Sequence, residues 1–187
     1  MYRFVPMLIL TMLFTAPATG KEIQVDDGKI TFEAPDGFEP VPKEILDIKY
    51  PSSRAPKYVI GNKSAGTTIA YDIKPNALPQ DGIEEGRKAF TELLPRMIPG
   101  LKWIENKTIE LAGQKWIYLE LTSTALDTDI HNIMLFTGYN GQMLAFNFNW
   151  TAEEFKKYEK AIRASIKSIK FNKADAPAEG KEPVAKP

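Results

Sequence analysis

The stretch from Ile133 to Ile169 constrains this chain most, because it reads as a β-hairpin running straight into an amphipathic helix. Ile133-Met134-Leu135-Phe136 and Met143 to Trp150 flank Tyr139-Asn140-Gly141-Gln142, and Asn-Gly accepts the positive φ values of a tight hairpin turn. In the second strand Leu144, Phe146, Phe148 and Trp150 share one face while Asn147 and Asn149 lie on the other, which predicts one core face and one wetter face. A helix follows at once. Thr151 is expected to cap it with Glu154 reaching back in a capping box, and its apolar stripe is Phe155, Tyr158, Ile162, Ile166 and Ile169.

The remaining elements fall around this unit. Lys21 to Val25 and Lys29 to Ala34 read as strands about an Asp26-Asp27-Gly28 turn, and Lys43 to Ile48 as a short helix entered from Pro42. Lys57 to Gly61 and Thr67 to Ile73 form an antiparallel pair. A helix capped by Asp81 should bury Ile83, Phe90, Leu93, Leu94 and Met97, and Pro95 should end or kink it around Leu93. Leu101 to Leu111 and Gln114 to Thr124 make a further hairpin turning at Ala112-Gly113. In its second strand Ile117, Leu119 and Leu121 alternate with Trp116, Tyr118 and Glu120, so that strand belongs inside a sheet covered on both faces. Strands in hairpin succession, interrupted only twice by longer helices, predict an α+β fold with helices packed on an antiparallel sheet.

The N-terminus supplies a compartment. Met1-Tyr2-Arg3, the apolar run Phe4 to Phe14, and the small residues Ala18-Thr19-Gly20 are the three parts of a secretory signal peptide, with cleavage after Gly20 or Ala18. The apolar core is shorter than the ~20 residues a membrane span needs, so no stable membrane insertion is expected after cleavage. The expected organisation is a signal peptide over 1–20, one domain over 21–172 and a disordered tail over 173–187, and the location is periplasmic or secreted. The tail mixes Ala, Pro, Lys, Glu and Gly, with Val184 its sole large apolar residue.

Lys plus Arg and Asp plus Glu each number 24, so no overall field draws nucleic acid or an anionic surface. The absence of Cys removes disulfides, thiol catalysis and Cys-ligated metals. Gly-x-Ser-x-Gly, Gly-x-Gly-x-x-Gly and P-loop sequences are missing, and Glu84-Glu85 and Glu153-Glu154 suit helical first turns better than acid–base chemistry.

Phe32-Glu33-Ala34-Pro35-Asp36-Gly37-Phe38, the strand, Gly113 and aromatic order of Ile109 to Tyr118, and the closing hairpin with Glu154-Phe155 and Ile162 to Ile169 resemble the PsbP-like family. That family comprises the photosystem extrinsic proteins and their bacterial and nuclear-transport relatives, the periplasmic DcrB-like proteins among them. The resemblance covers most of Lys29 to Phe171. It implies an α/β/α sandwich around an antiparallel sheet and a role in binding or assembly. The DcrB-like proteins are typically lipoproteins, and this chain lacks the cysteine such anchoring requires.

Two sets of residues are candidates for chemistry. Asp127, Asp129 and His131 share one face of an extended segment and could hold a divalent metal, although turn formation accounts for both aspartates. Trp103, Trp116, Tyr118 and Trp150 could line a ligand groove with polar contacts from Asn147 and Asn149, although aromatics at strand spacing serve cores. Asn62, Asn106 and Asn149 open Asn-x-Ser/Thr sequons, read as chance and capping. No cofactor and no catalytic residue is implied. The expected function is a non-enzymatic accessory domain that binds a protein partner through the Pro51 to Pro56 loop or the tail; the alternative is a carrier of a small molecule or metal.

Overall fold

The computed structural model describes residues 20–50, 55–124 and 128–172. Residues 1–19 of the predicted signal peptide, the predicted tail, most of the Pro51 to Pro56 loop and Asp127 lie outside the described residues. In chain order the elements are β1 (Lys21–Val25), β2 (Ile30–Ala34), β3 (Glu39–Pro40), α1 (Lys43–Lys49), β4 (Tyr58–Gly61), β5 (Thr67–Lys74) and α2 (Ile83–Met97). Then follow β6 (Lys102–Leu111), β7 (Gln114–Thr124), β8 (Asp129–Tyr139), β9 (Gln142–Thr151), α3 (Phe155–Lys167) and β10 (Lys170–Phe171). The described strands form a seven-stranded sheet of order β3-β4-β5-β9-β8-β7-β6 and a three-stranded sheet of order β1-β2-β10. All pairings are antiparallel. This is the predicted α+β architecture, and the separate small sheet is an addition to it.

Alternation along the strands assigns the two faces of the large sheet. Tyr71, Trp116, Leu135, Phe146, Phe148 and Trp150 point into one core with Ile162 and Ile166 of α3 and Phe32 of the small sheet. Phe32 stands edge-on to Tyr71 and Phe146, each at 5.4 Å between ring centroids, the favoured arrangement for a buried aromatic cluster. The other face carries α2, whose Ile83 and Leu94 cover Ile117 and Leu119, while Phe90 stacks on Phe136 at 4.4 Å. Further along that face, Ile45 and Leu46 of α1 and Tyr50 just after it pack on Val59 and Ala70. β7 is apolar on both sides as its pattern predicts, with Trp116, Ile117, Leu119 and Leu121 all fully buried. The β8–β9 turn places Asn140 and Gly141 at φ of 49° and 73°, as a type I′ hairpin demands.

Three local expectations are corrected. Thr151 is not a helix cap: β9 continues through it, paired with Ile130, and its N–H is bound to the Gly66 carbonyl at 3.0 Å. Glu154 becomes the cap position, without a side-chain cap bond, so no capping box forms. Asp81 does not cap α2 either. It lies in a 3-10 turn (Gln80–Gly82) held by Gln80, whose side chain accepts from Lys115 N–H at 2.9 Å and donates to Thr137 Oγ1 at 2.9 Å. Gly138 lets this crossing come close, because a Cβ there would sit 2.1 Å from the Leu78 carbonyl oxygen.

Helix α2 also continues through Pro95 to Met97, closed by Ile98 N–H donating to Leu94 O at 2.9 Å. Proline so near the end forfeits one bond, to the carbonyl of Thr91, and leaves little helix beyond it to disrupt. Leu93 and Met97, expected in the core, are 48% and 50% exposed.

Candidate functional site

Between the C-terminal end of α2 and the residues after α1, no described residue covers the face of the large sheet. The resulting open groove has a volume of about 360 Å³. Ala70 and Asp72 of β5 and Ala145 and Asn147 of β9 form its floor, Leu94, Met97, Met134 and Phe136 one wall, and Tyr50 and Pro56 the opposite side. The strand pattern explains the opening: β5 and β9 put alanine where a larger apolar residue would have filled the space. The Asp72 carboxylate is already neutralised, with Lys74 Nζ at 2.6 Å and Lys57 N–H at 3.3 Å. The groove therefore presents mainly apolar surface, with the Asn147 amide, the Tyr50 side chain and the Lys74–Asp72 pair as its polar groups.

The candidate residues from sequence separate in the structure. Trp116 is fully buried in the α3-side core and donates its indole N–H to Leu111 O at 2.9 Å, whereas Trp103 packs against the α2-side core. These two tryptophans do not converge. Asn147 and Asn149 do lie on the α2-side face; Asn147 enters the groove floor, and Asn149 donates to Tyr50 Oη and Thr68 Oγ1, each at 3.4 Å. Burial pushes the Tyr50 hydroxyl above its ordinary pKa, against the smaller opposing effects of Thr68 and Asn149. The sequon asparagines are engaged in the fold: Asn62 donates to Glu154 at 2.8 Å, and Asn106 accepts from Arg87 at 2.7 Å.

His131 and Asp129 sit two residues apart on β8, but His131 faces inward. Its ring stacks on Trp150 at 4.7 Å and lies tilted against Phe155 at 4.6 Å, and its Nε2 lies 2.7 Å from Glu120 Oε1. Among the described residues no group of three or more His, Cys, Asp or Glu is placed to hold a metal ion.

Glu120 is the polar centre of the opposite, α3-side face. Its side chain is 4% exposed, and besides His131 it receives Arg163 Nη2 at 2.8 Å and the Tyr118 hydroxyl at 2.5 Å. Burial alone would raise its pKa, but hydrogen bonds from His131, Arg163 and Tyr118 outweigh burial and hold the carboxylate at about 2. Burial and the adjacent carboxylate push the Tyr118 hydroxyl upward in turn, and the bond to Glu120 raises Arg163. Every acceptor position of this carboxylate is spent on tying α3 to β7 and β8, so it offers nothing to a substrate. The sequence held one signal of it, a Glu between Leu119 and Leu121 in a strand otherwise buried on both faces.

Glu154 pins the β4–β5 loop in the same manner. Its carboxylate accepts from Asn62 and Ser64 at 2.8 Å and from Thr67 at 2.5 Å. Burial opposes its ionisation, yet these hydroxyl and amide donors keep its pKa below the usual carboxylate range. Glu154→Ala is expected to cost about 1–2 kcal/mol, the scale of a few partly exposed hydrogen bonds, and to raise amide exchange over residues 62–67. Unchanged exchange there would contradict the pinning role.

A second cleft, of about 690 Å³, opens at one end of the large sheet between the residue 77–80 crossing, the tips of the β6–β7 and β8–β9 hairpins, and Phe171. Periodicity alone did not reveal either cleft, because both arise where elements distant in sequence fail to meet.

No family model and no curated protein sequence matches the chain. Solved structures do match in fold. The solution structure of the cyanobacterial PsbP protein CyanoP from Synechocystis superposes with a TM-score of 0.58 at 12% identity, covering 88% of this chain and 99% of that one. The Ran-binding protein Mog1p of Saccharomyces cerevisiae gives 0.52 at 12% identity, over 81% and 94% of the two chains. LpqN of Mycobacterium tuberculosis, described as involved in cell envelope biogenesis, gives 0.51 at 14% identity, over 80% and 88%. At such identities the likeness is one of fold, and the chain has the PsbP-like fold, an antiparallel sheet covered by helices, that the residue pattern of Lys29 to Phe171 resembles.

Proposed function

We propose that this chain is a non-enzymatic, extracytoplasmic accessory domain that binds a protein partner on its α2-side face. The observation that carries this reading is the open groove, walled by apolar residues of which Met97 is half exposed, with Leu93 one turn before it on the helix. Contiguous exposed apolar surface, rather than single exposed side chains, is what marks sites of association, and the groove wall together with Leu93 and Met97 forms such a surface. Support also comes from Glu120 and Glu154, the two most elaborately bonded carboxylates, since each is consumed in holding the fold. The fold itself hosts a protein named for binding Ran, which is an analogy at the level of fold. The extracytoplasmic part of the reading rests on the Met1 to Gly20 pattern; among the described residues no helix is long and apolar enough to cross a membrane.

The test is affinity purification of the C-terminally tagged protein from its native compartment, with mass spectrometry of the protein and its companions. The expected mature chain begins at Lys21 or Thr19, and a reproducible protein companion is lost with Met97→Glu. A mature mass that retains Met1 to Gly20, or a companion set indifferent to Met97→Glu, contradicts the proposal. A second reading, a carrier of a small molecule or metal, draws on the roomier cleft at the hairpin tips. It requires instead a small molecule or metal that travels with the purified chain, with no protein companion.

A further inference from the structure

Helix α3 concentrates positive charge on one side. Lys156, Lys157, Lys160, Arg163 and Lys167 fall within an arc of about 120° on the helix, away from the buried Ile162 and Ile166, and span about 16 Å of its length. The four lysines are exposed, and Arg163 is partly so. Arg163 is committed to Glu120 and Glu159. Among the described residues Lys156, Lys160 and Lys167 have no ion-pair or hydrogen-bond partner. Acidic groups border the row without entering it: Glu159 on the Arg163 flank, and Glu33 and Asp36 across a shallow cleft from Lys157. The other two helices are balanced, α1 with Lys43 and Lys49 against Glu44 and Asp47, and α2 with Arg87, Lys88 and Arg96 against Glu84, Glu85 and Glu92. The even totals of the sequence thus conceal a local field.

The row opposes the helix that carries it. Lys156 and Lys157 sit in the first turn, where the positive end of the helix dipole repels cations, and no acidic residue accompanies them there. Both α1 and α2 place acids in that turn. Lys156 with Lys160, and Arg163 with Lys167, are like charges four residues apart, which destabilises a helix further. An arrangement that weakens the helix without a contact inside the fold points to a role outside it. The character of the row selects the partner. It is convex, and Ala164 is the one other helix residue within the arc, so it has no aromatic or large apolar side chain to seat in a protein pocket. Lysine is also depleted from protein interfaces. A bilayer of anionic phospholipid demands no such fit, and each lysine brought to its surface favours binding by about fivefold. Export on the Met1 to Gly20 signal carries the chain across a phospholipid membrane and releases it at the surface. We infer that the α3 row adsorbs the domain peripherally on an anionic phospholipid bilayer, with the α2-side groove, on the opposite face of the sheet, turned away from it. This inference goes beyond the partner reading and shares with it only the exported location.

The test is cosedimentation of the intact secreted chain with vesicles of phosphatidylcholine containing about one-third phosphatidylglycerol, beside vesicles of phosphatidylcholine alone. The chain should sediment with the anionic vesicles and remain in solution with the neutral ones. Binding should vanish as salt rises from about 0.05 M to about 0.5 M and the screening length shortens. Lys160→Ala should lower the partition coefficient by about fivefold, and the combined Lys156→Ala, Lys160→Ala and Lys167→Ala change by about a hundredfold. Lys88→Ala removes the same charge from α2, on the other side of the sheet, and should leave binding unchanged. The salt and lipid comparisons use the wild-type chain, so they stand even if a variant fails to fold. No sedimentation with the anionic vesicles, equal binding to neutral ones, binding that survives high salt, or an equal loss in Lys88→Ala overturns the proposal. So does retention on heparin without sedimentation on the anionic vesicles, which assigns the row to a soluble polyanion. Loss of a protein companion in Met97→Glu is a separate readout, so failure of the lipid proposal and failure of the partner reading are distinguishable.

Discussion

Glu120→Ala is expected to destabilise the protein by about 3–5 kcal/mol, the penalty for removing one partner from a buried charge cluster and stranding the others. Arg163, His131 and the Tyr118 hydroxyl all converge on this carboxylate; without it Arg163 keeps only Glu159 at 3.0 Å and the Tyr118 hydroxyl at 3.1 Å. The effect should carry a pH signature. The carboxylate has an ordinary pKa of 4.5 and is held at about 2 in the folded protein, so folding favours its ionised form. That stabilisation is present in full above about pH 4.5 and is lost as the pH falls through the window down to about 2. By linkage it amounts to something on the order of 3 kcal/mol at neutral pH. Urea denaturation across that range should show wild-type stability falling faster than that of Glu120→Gln, with the two curves drawing together toward pH 2. A constant difference between them would mean that the carboxylate gains nothing from its partners.

Trp116→Ala is expected to cost about 3–5 kcal/mol, as for a large aromatic deleted from a closed core. Trp116 is fully buried, tilts against Phe146 at 6.2 Å and Phe171 at 6.1 Å, and anchors the β6–β7 hairpin through its bond to Leu111 O. The removed ring would also loosen the contact between the large sheet and β10. A loss below about 1 kcal/mol, measured by thermal or urea unfolding, would contradict this core placement and return Trp116 to the candidates for ligand contact.

The contrast between Trp116 and Asn147 shows where sequence reasoning reaches and where it stops. Period-two alternation sends each side chain of a strand to a definite face, so Phe146 and Phe148 on one side and Asn147 and Asn149 on the other were legible at once. The Asn140-Gly141 and Ala112-Gly113 turns were legible for the same local reason, since few residues accept the backbone they impose. What alternation cannot say is what covers a face. Trp103 and Trp116 belong to consecutive paired strands, yet bulge and register place them on opposite sides of the sheet. The expected capping box failed because a tertiary demand, the pairing of Thr151 with Ile130 and its bond to Gly66, outweighed a local propensity for capping. Glu154, freed of that duty, binds a loop ninety residues away in sequence from its own neighbourhood, with Ser64 as one of its partners. Its helical period assigns Met97 to the core; it is half exposed because α2 covers β6 and β7 but leaves β9 open at its end. The groove is thus a property of helix placement, which no single stretch encodes.

Site-specific photocrosslinking in the native compartment tests the central claim most directly. A photoreactive phenylalanine at Met97, on the groove wall, should yield a discrete adduct with a partner protein, and the same group at Lys160 on the α3 side should not. Adducts of equal yield from both positions, or none from Met97 while Lys160 captures a partner, would contradict a working surface on the α2-side face.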